Sequence, residues 1–233
     1  MEYRHCLVTG ANRGLGLAFT EALLAEGRRV VAACRQPGKA HALNTLAAEH
    51  PGRLHVLPLD LAEPRSHHEL ARELALVGDA PLDLLINNAG VLRGGERFGQ
   101  VQPADLETSL RTNAMGPFLL TQALAPRLAD GATVANISSE IGSIAGVREF
   151  RTPSYAIGKA AQNMATALLA RALAERGIVV VALHPGWVRT DMGGEKAPLS
   201  ARESAHSLLA VIAGLQPQDS GCFLDRQGQP LPW

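Results

Sequence analysis

Thr9-Gly10-Ala11-Asn12-Arg13-Gly14-Leu15-Gly16 stands between a short apolar run, His5–Thr9, and a stretch with apolar residues at helical spacing, Leu15–Glu26. A strand thus turns into a helix through three glycines. Without side chains at Gly10, Gly14 and Gly16, backbone N–H groups can approach a pyrophosphate held at the positive end of the helix, and the last glycine lets helix and strand pack closely. The spacing is G-x-x-x-G-x-G rather than G-x-G-x-x-G, and three glycines can equally be plain turn chemistry. Their place directly after the first strand favours the phosphate reading.

Outward from this turn, β-rich runs alternate with helical ones. Strands are expected at His5–Thr9, Arg29–Cys34, Leu54–Pro58, Leu82–Asn87, Thr133–Ile137, Val179–His184 and Cys222–Leu224. Helices are expected at Leu15–Glu26, Lys39–Ala48, Pro64–Val77, Pro103–Leu128, Pro153–Arg176 and Ser200–Ala213. Gly27 and Gly177 act as stop signals, and Ser200-x-x-Glu203 is a capping box. Such alternation predicts parallel βαβ units, and runs such as Leu84-Leu85-Ile86 suit a sheet covered on both faces. The expected fold is α/β: a doubly wound, Rossmann-type parallel sheet of about seven strands with helices on both faces. No repeat, low-complexity tract or linker divides residues 1–233, and Gly94–Gly99 reads as a loop, so a single domain is expected.

Composition narrows the function classes. Hydrophobic residues make up 46% of the 233, and 22 basic side chains balance 22 acidic ones, which describes a folded globule with no nucleic-acid or membrane surface. Cys6, Cys34 and Cys222 are widely spaced and form no C-x-x-C pair, which argues against a disulfide scaffold or a zinc ribbon. No segment has the apolar core of a signal peptide or the ~18 apolar residues of a membrane span, so a cytoplasmic protein is expected. His67-His68 are adjacent on a predicted helix without carboxylate–histidine spacing; they read as solvated surface, and no metal is expected. His184 reads as structural, and Cys6 and Cys34 as core thiols.

The second strand ends in Ala32-Ala33-Cys34-Arg35. An NAD site usually carries an acidic residue there for the ribose 2′-hydroxyl; Cys34 offers none, whereas Arg35 offers a charge for a 2′-phosphate, with Arg13 as a second cation. The expected cofactor is NADP(H). Farther along, Tyr155 and Lys159 lie four apart at the start of the helix opening at Pro153, so both project from one face. The chain has only two tyrosines and three lysines, which makes the spacing informative. A tyrosine that exchanges protons near neutrality needs its pKa of ~10 lowered, and a neighbouring ammonium stabilises the phenolate. Ser138 and Ser139 follow the fifth strand at the carboxyl edge of the sheet, where a hydroxyl could hold a carbonyl oxygen.

These motifs together resemble the short-chain dehydrogenase/reductase family over nearly the full chain. The match comprises Thr9–Gly16, Asp60, Asn87-Asn88-Ala89-Gly90, Asn113, Ser139, Tyr155-x-x-x-Lys159 and Pro185-Gly186-x-Val188-x-Thr190. His184–Gly194 and the ending Leu231-Pro232-Trp233 look most like the C-factor-like, carbonyl-reductase-related branch. The resemblance implies a catalytic tetrad of Asn113, Ser139, Tyr155 and Lys159, with Tyr155 as the acid in reduction. It implies a cofactor site of Gly10, Asn12, Arg13, Gly14, Leu15 and Gly16 for the phosphates and Arg35 beside them. Asp60 and Leu61 would flank the adenine, Asn88, Ala89 and Gly90 its ribose, and Tyr155 and Lys159 the nicotinamide ribose. Pro185, Gly186, Val188 and Thr190 would meet the nicotinamide. Ser139, not Ser138, would face the substrate. The partners implied are a small carbonyl or alcohol substrate and further copies of the chain, as a homodimer or homotetramer.

The sixteen-residue gap from Ser139 to Tyr155 departs from the family's commonest form and predicts an enlarged loop around Ile144–Arg151. The stretch after Thr190 is short and predicts a reduced lid. Trp187, Phe150 and Met192 suggest an apolar pocket wall. The leading expectation is an NADPH-dependent reductase of a ketone or aldehyde; the alternatives are a dinucleotide-binding regulatory protein and another nucleotide-site enzyme such as a methyltransferase, which has no need of Tyr-x-x-x-Lys.

Overall fold

The computed structural model describes residues 3–233. Seven strands form one parallel sheet: β1 (His5–Thr9), β2 (Arg29–Cys34), β3 (Leu54–Pro58), β4 (Leu82–Asn87), β5 (Leu128–Ile137), β6 (Val179–Leu183) and β9 (Phe223–Leu224). Their order is β3-β2-β1-β4-β5-β6-β9. The chain begins in the middle, moves outward to β3, and crosses back to β4 on the other side of β1. This reversal leaves a crevice at the carboxyl ends of β1 and β4, where open α/β sheets bind ligands. A small pair outside the sheet, β7 (Val188–Arg189) with β8 (Leu199–Ser200), was not legible as strand because two residues carry no period.

Successive strand residues face opposite sides, so the sheet needs two cores. Cys6 and Val8 of β1 belong with Phe19 and Leu23 of α1 (Gly14–Ala25), Leu43 of α2 (His41–Glu49) and Leu208 and Ile212 of α7 (Ala201–Gly214). Leu7, between them, belongs with Leu70 of α3 (Pro64–Val77), Leu120 of α5 (Gly116–Leu124) and Leu169 of α6 (Pro153–Ala172). The doubly wound, two-faced architecture is the expected one. The capping box holds as well: Ser200 Oγ accepts from the Glu203 N–H at 3.2 Å, and the Glu203 carboxylate accepts from the Ser200 N–H at 2.9 Å.

The helix expected over Pro103–Leu128 is broken. It comprises α4 (Pro103–Leu110), a π turn over Arg111–Met115, α5, and a 3-10 turn at Ala125–Arg127 before β5 starts early at Leu128. Pro117 explains the π turn: it has no N–H to return to the Asn113 carbonyl, so the α-helical ladder cannot continue there. One further detail corrects the sequence reading. His67 is buried, with Nε2 against the Leu61 carbonyl at 3.1 Å, and only His68 is exposed. Neighbours on a helix point about 100° apart, and His67 lies on the face of Leu70 and Leu74. Among the described residues no group of His, Cys, Asp and Glu gathers as a metal site, and no helix is long and apolar enough to cross a membrane.

A Cβ on Gly116 would stand 2.7 Å from the Leu61 carbonyl oxygen, so the missing side chain lets α5 touch the end of the third βα unit. Gly116→Ala should cost about 1–3 kcal/mol by overpacking. Urea denaturation of the two proteins checks this, with an unchanged midpoint counting against the contact.

Candidate active site

The glycine turn is held by the end of β4. Thr9 Oγ1 accepts from the N–H groups of Asn88 and Ala89, each at 3.0 Å, while Asn88 Nδ2 donates to the Thr9 carbonyl at 2.9 Å. Gly10 has φ +64°, and a Cβ there would lie 2.8 Å from Ala89 Cα; one on Gly16 would lie 2.3 Å from the Gly10 carbonyl oxygen. Only glycine fits either place. Arg13, the N-cap of α1, supplies no side-chain cap, and the first turn carries no acidic residue, so the leading N–H groups are left for an anion. That fits the phosphates of a dinucleotide.

Cys34 is buried and Arg35 is exposed at the end of β2. Arg13 does not stand free beside it; its guanidinium pairs with Asp191, beyond the β6 end. Asp60 turns inward through Oδ1, which accepts from the Ala62 N–H at 3.0 Å, and Leu61 is buried. Val188 is buried; Thr190 faces Gly14, where a Cβ would meet its Cγ2 at 3.1 Å. Pro185 receives the Ser204 hydroxyl on its carbonyl at 2.8 Å, and Gly186 takes φ +80°. The glycine turn thus meets Asn88 and Ala89 on one side and Thr190 on the other, at the crevice beyond the carboxyl ends of β1 and β4.

The four expected catalytic residues meet at its floor. Asn113 sits in the π turn with its amide clasped to Val91: Oδ1 accepts from the Val91 N–H at 2.8 Å and Nδ2 donates to the Val91 carbonyl at 2.9 Å. Helix α6 approaches closely because of two glycines. A Cβ on Gly158 would be 2.5 Å from Ser109 Oγ, and one on Gly142 2.8 Å from Lys159 Cβ. Lys159 is thereby almost wholly buried, Nζ donating to the Ile137 carbonyl at 2.6 Å and to Gln162 Oε1 at 2.8 Å. Its Nζ lies 5.6 Å from the centre of the Tyr155 ring. The two serines diverge: Ser138 Oγ donates to Asn163 Oδ1 at 2.6 Å, whereas Ser139 Oγ accepts from the Ile141 N–H at 3.3 Å and lies beside the Tyr155 hydroxyl, whose pKa it lowers.

The charge state differs from the sequence expectation. Burial pushes the Tyr155 hydroxyl up to about 12, opposed by the Ser139 hydrogen bond, and burial pushes the Lys159 ammonium down to about 7. Spacing on a helix shows that the two groups are neighbours; it does not show that both leave water, which penalises each charge.

Sequence reasoning missed Gln162, although its place three residues after Lys159 puts it on the same face. It also missed Glu96, whose carboxylate accepts from the Ser154 N–H at 3.3 Å at the start of α6. Rim residues Trp187, Phe150 and Met192 are about half exposed, and Phe150 meets Phe98 edge-on at 5.7 Å. The long loop after Gly142 is pinned by Ala145, whose N–H donates to the Trp233 carbonyl at 2.9 Å.

A Rossmann-type sheet with this glycine turn, and with serine, tyrosine and lysine converging at its carboxyl edge, defines a nucleotide-dependent oxidoreductase class. The family model described as "short chain dehydrogenase" matches residues 4–199, and the chain belongs to that family. It is 44% identical over 155 residues to C-signal of Myxococcus xanthus, covering 66% of this chain and 93% of that protein. It superposes on the NADPH-bound carbonyl reductase from chicken fatty liver at 39% identity with a TM-score of 0.94, and on the carbonyl reductase Sniffer of D. melanogaster at 33% with 0.95, covering all of both chains in each case. Its place is in the carbonyl-reductase-related branch.

Burial of Lys159 has a sign that can be measured. Because its folded pKa is lowered, the unfolded chain holds the Lys159 proton more firmly between about pH 7 and the ordinary lysine value of 10.5, and the contribution of Lys159 to stability rises with pH across that window, opposed above the ordinary thiol value of 9.0 by the raised Cys6. Above the ordinary tyrosine value of 10.0 the raised Tyr155 reverses the trend up to about pH 12. Lys159→Met should flatten the rising limb in denaturation followed against pH; an unaltered limb would show that Lys159 titrates normally.

Proposed function

We propose that the protein is an NADPH-dependent oxidoreductase that reduces a ketone or aldehyde to an alcohol. The observation that carries this is the buried Tyr155–Lys159 pair beside Ser139, facing the crevice that the glycine turn closes. The cofactor, when bound, supplies the hydride. Gly10, Asn12, Gly14, Leu15 and Gly16 would hold its phosphates, Arg35 its 2′-phosphate, joined by Arg13 once that side chain exchanges Asp191 for the phosphate, Asp60 and Leu61 its adenine, and Asn88, Ala89 and Gly90 the adenine ribose. Pro185, Gly186, Val188 and Thr190 would border the nicotinamide, and Lys159 would bind its ribose. Asn113, locked to Val91, fixes the wall behind Lys159.

In the proton step, Ser139 donates a hydrogen bond to the substrate's carbonyl oxygen and Tyr155 gives that oxygen its proton. A tyrosine raised by burial is in the acid form throughout the neutral range. The alkoxide formed at the substrate carbon is a far stronger base than a phenolate, so the transfer runs downhill. The ammonium of Lys159 then stabilises the phenolate left behind. Ser138, spent on Asn163, takes no part.

Both the cofactor site and the chemistry are assigned to one domain, since one sheet edge carries them. Three free cysteines suit a reducing compartment such as the cytoplasm. A homodimer would cover the outward stripe of α6, where Ile157, Met164 and Leu168 are exposed at helical spacing. Light scattering on the wild type and Met164→Glu tests it: a monomeric wild type overturns the assignment.

Tyr155→Phe should leave the fold and NADPH binding in place while kcat for carbonyl reduction falls by at least ~10²–10⁴. Undiminished turnover would refute the mechanism. Arg35→Ala should weaken NADPH about tenfold or more and leave NADH unchanged, as expected for a lost charge-assisted contact; equal loss for both cofactors would reject the 2′-phosphate role. The likeness to C-signal favours a second reading, a dinucleotide-binding regulatory protein with little turnover. A wild type that binds NADPH yet reduces nothing across a broad panel of ketones and aldehydes would decide for it.

A further inference from the structure

We infer that Gln162 is a positioning residue for Lys159: its side-chain oxygen is the second of two interior acceptors that keep the Lys159 amine in its charged form at the site. The role for the reaction rests on the Tyr155–Lys159 reading above; the hydrogen-bonding role does not.

Gln162 is completely buried on α6, one turn after Lys159. Its Oε1 accepts from Lys159 Nζ at 2.8 Å, yet its Nε2 has no partner. A buried amide with an orphaned N–H is unfavourable, and a leucine of similar volume would fill the place without that penalty. What a leucine lacks is the oxygen. Among the described residues, the groups that the neighbouring elements bring to Lys159 are uncharged: the Ile137 carbonyl at the end of β5, the backbone of Gly142, the Asn113 amide of the π turn and the backbone of Gly90. The titratable group facing it is Tyr155, on its own helix. Among the described residues no carboxylate holds the proton on Lys159. Burial pushes the amine down to about 7, so its charge depends on the acceptors that remain. With only the Ile137 carbonyl left, the ammonium would lose one of its two interior acceptors and the amine would become neutral at working pH. A neutral amine cannot stabilise a phenolate on Tyr155.

The orphaned N–H and the ammonium contact predict opposite effects of one substitution at the two ends of the pH scale. In the cofactor-free protein, denaturation midpoints of wild type, Gln162→Leu and Gln162→Glu are followed from about pH 5 to about pH 10. At the alkaline end, where Lys159 is neutral in every variant, Gln162→Leu should equal or exceed the wild type. Below about pH 7 the wild type levels off. The leucine variant should go on losing stability there, its unfolding constant growing up to about tenfold per pH unit. Gln162→Glu, nearly isosteric, should level off at a higher pH than the wild type. Introduced into a Lys159→Met background, Gln162→Leu should lose its pH dependence. With NADPH and a reducible ketone, the pH limit of turnover should move in the same sense as the folding curves.

Parallel stability curves for wild type and Gln162→Leu, or a pH-dependent difference between them that persists with Lys159→Met, would reduce Gln162 to a packing residue and overturn the inference. Shifted folding curves in a protein that reduces no carbonyl would support the Gln162–Lys159 contact and reject the reductase reading instead. Should Gln162→Leu fail to fold, Gln162→Glu and Gln162→Met carry the same comparison.

Discussion

Exclusion of water from Lys159 is the constraint on which the site depends. An ammonium is accepted beneath α6 because the Ile137 carbonyl and Gln162 meet two of its three donors. The carbonyl is available because β5 ends there, and the helix lies close enough because Gly142 and Gly158 carry no side chain where a Cβ would collide. Moving α6 outward by the width of a methyl group would let water in, raise the lysine and loosen Tyr155 together. Strand end, glycines and buried pair are therefore one arrangement.

The same helix is anchored to the middle of the sheet by a buried polar chain. Asn87 Nδ2 on β4 donates to Asn136 Oδ1 on β5 at 2.8 Å, and Asn136 Nδ2 donates in turn to Thr166 Oγ1 on α6 at 2.9 Å. Asn87 also reaches Thr121 of α5 at 3.2 Å. Such bonds in a low-dielectric interior are strong when made and unfavourable when lost, so they fix one register between helices and sheet where apolar packing alone would tolerate several. A separate bond from Ser138 to Asn163 ties the residue after β5 to α6, which leaves Ser139 as the hydroxyl turned to the crevice.

At its other end α6 begins under strain. Thr152 adopts φ +41°, alone among the described non-glycine residues in the left-handed region, immediately before Pro153. A residue preceding proline prefers extended backbone, so this conformation persists only because its surroundings hold it. Glu96 contributes by capping the helix from outside at Ser154, one residue before Tyr155, and the Phe98–Phe150 contact joins the same two segments over the rim. Sharp entry of the chain into α6 sets where the Tyr155 hydroxyl stands.

The chain's order of apolar runs and glycines was enough to specify the parallel two-faced sheet, the glycine turn and the face shared by Tyr155 and Lys159, because periodicity, turn chemistry and helical spacing are local properties. The capping box at Ser200 was legible for the same reason. Burial is not local. His67 and His68 look alike in sequence, yet only one leaves water, according to which face of α3 meets the sheet. The π turn required Pro117 to be weighed against a carbonyl four residues away, and Gln162 gained meaning only beside an ammonium that tertiary packing had already enclosed. The titration of Tyr155 and Lys159 was decided there too: sequence made them neighbours, and the fold, by removing solvent from both, set the direction in which each proton is held.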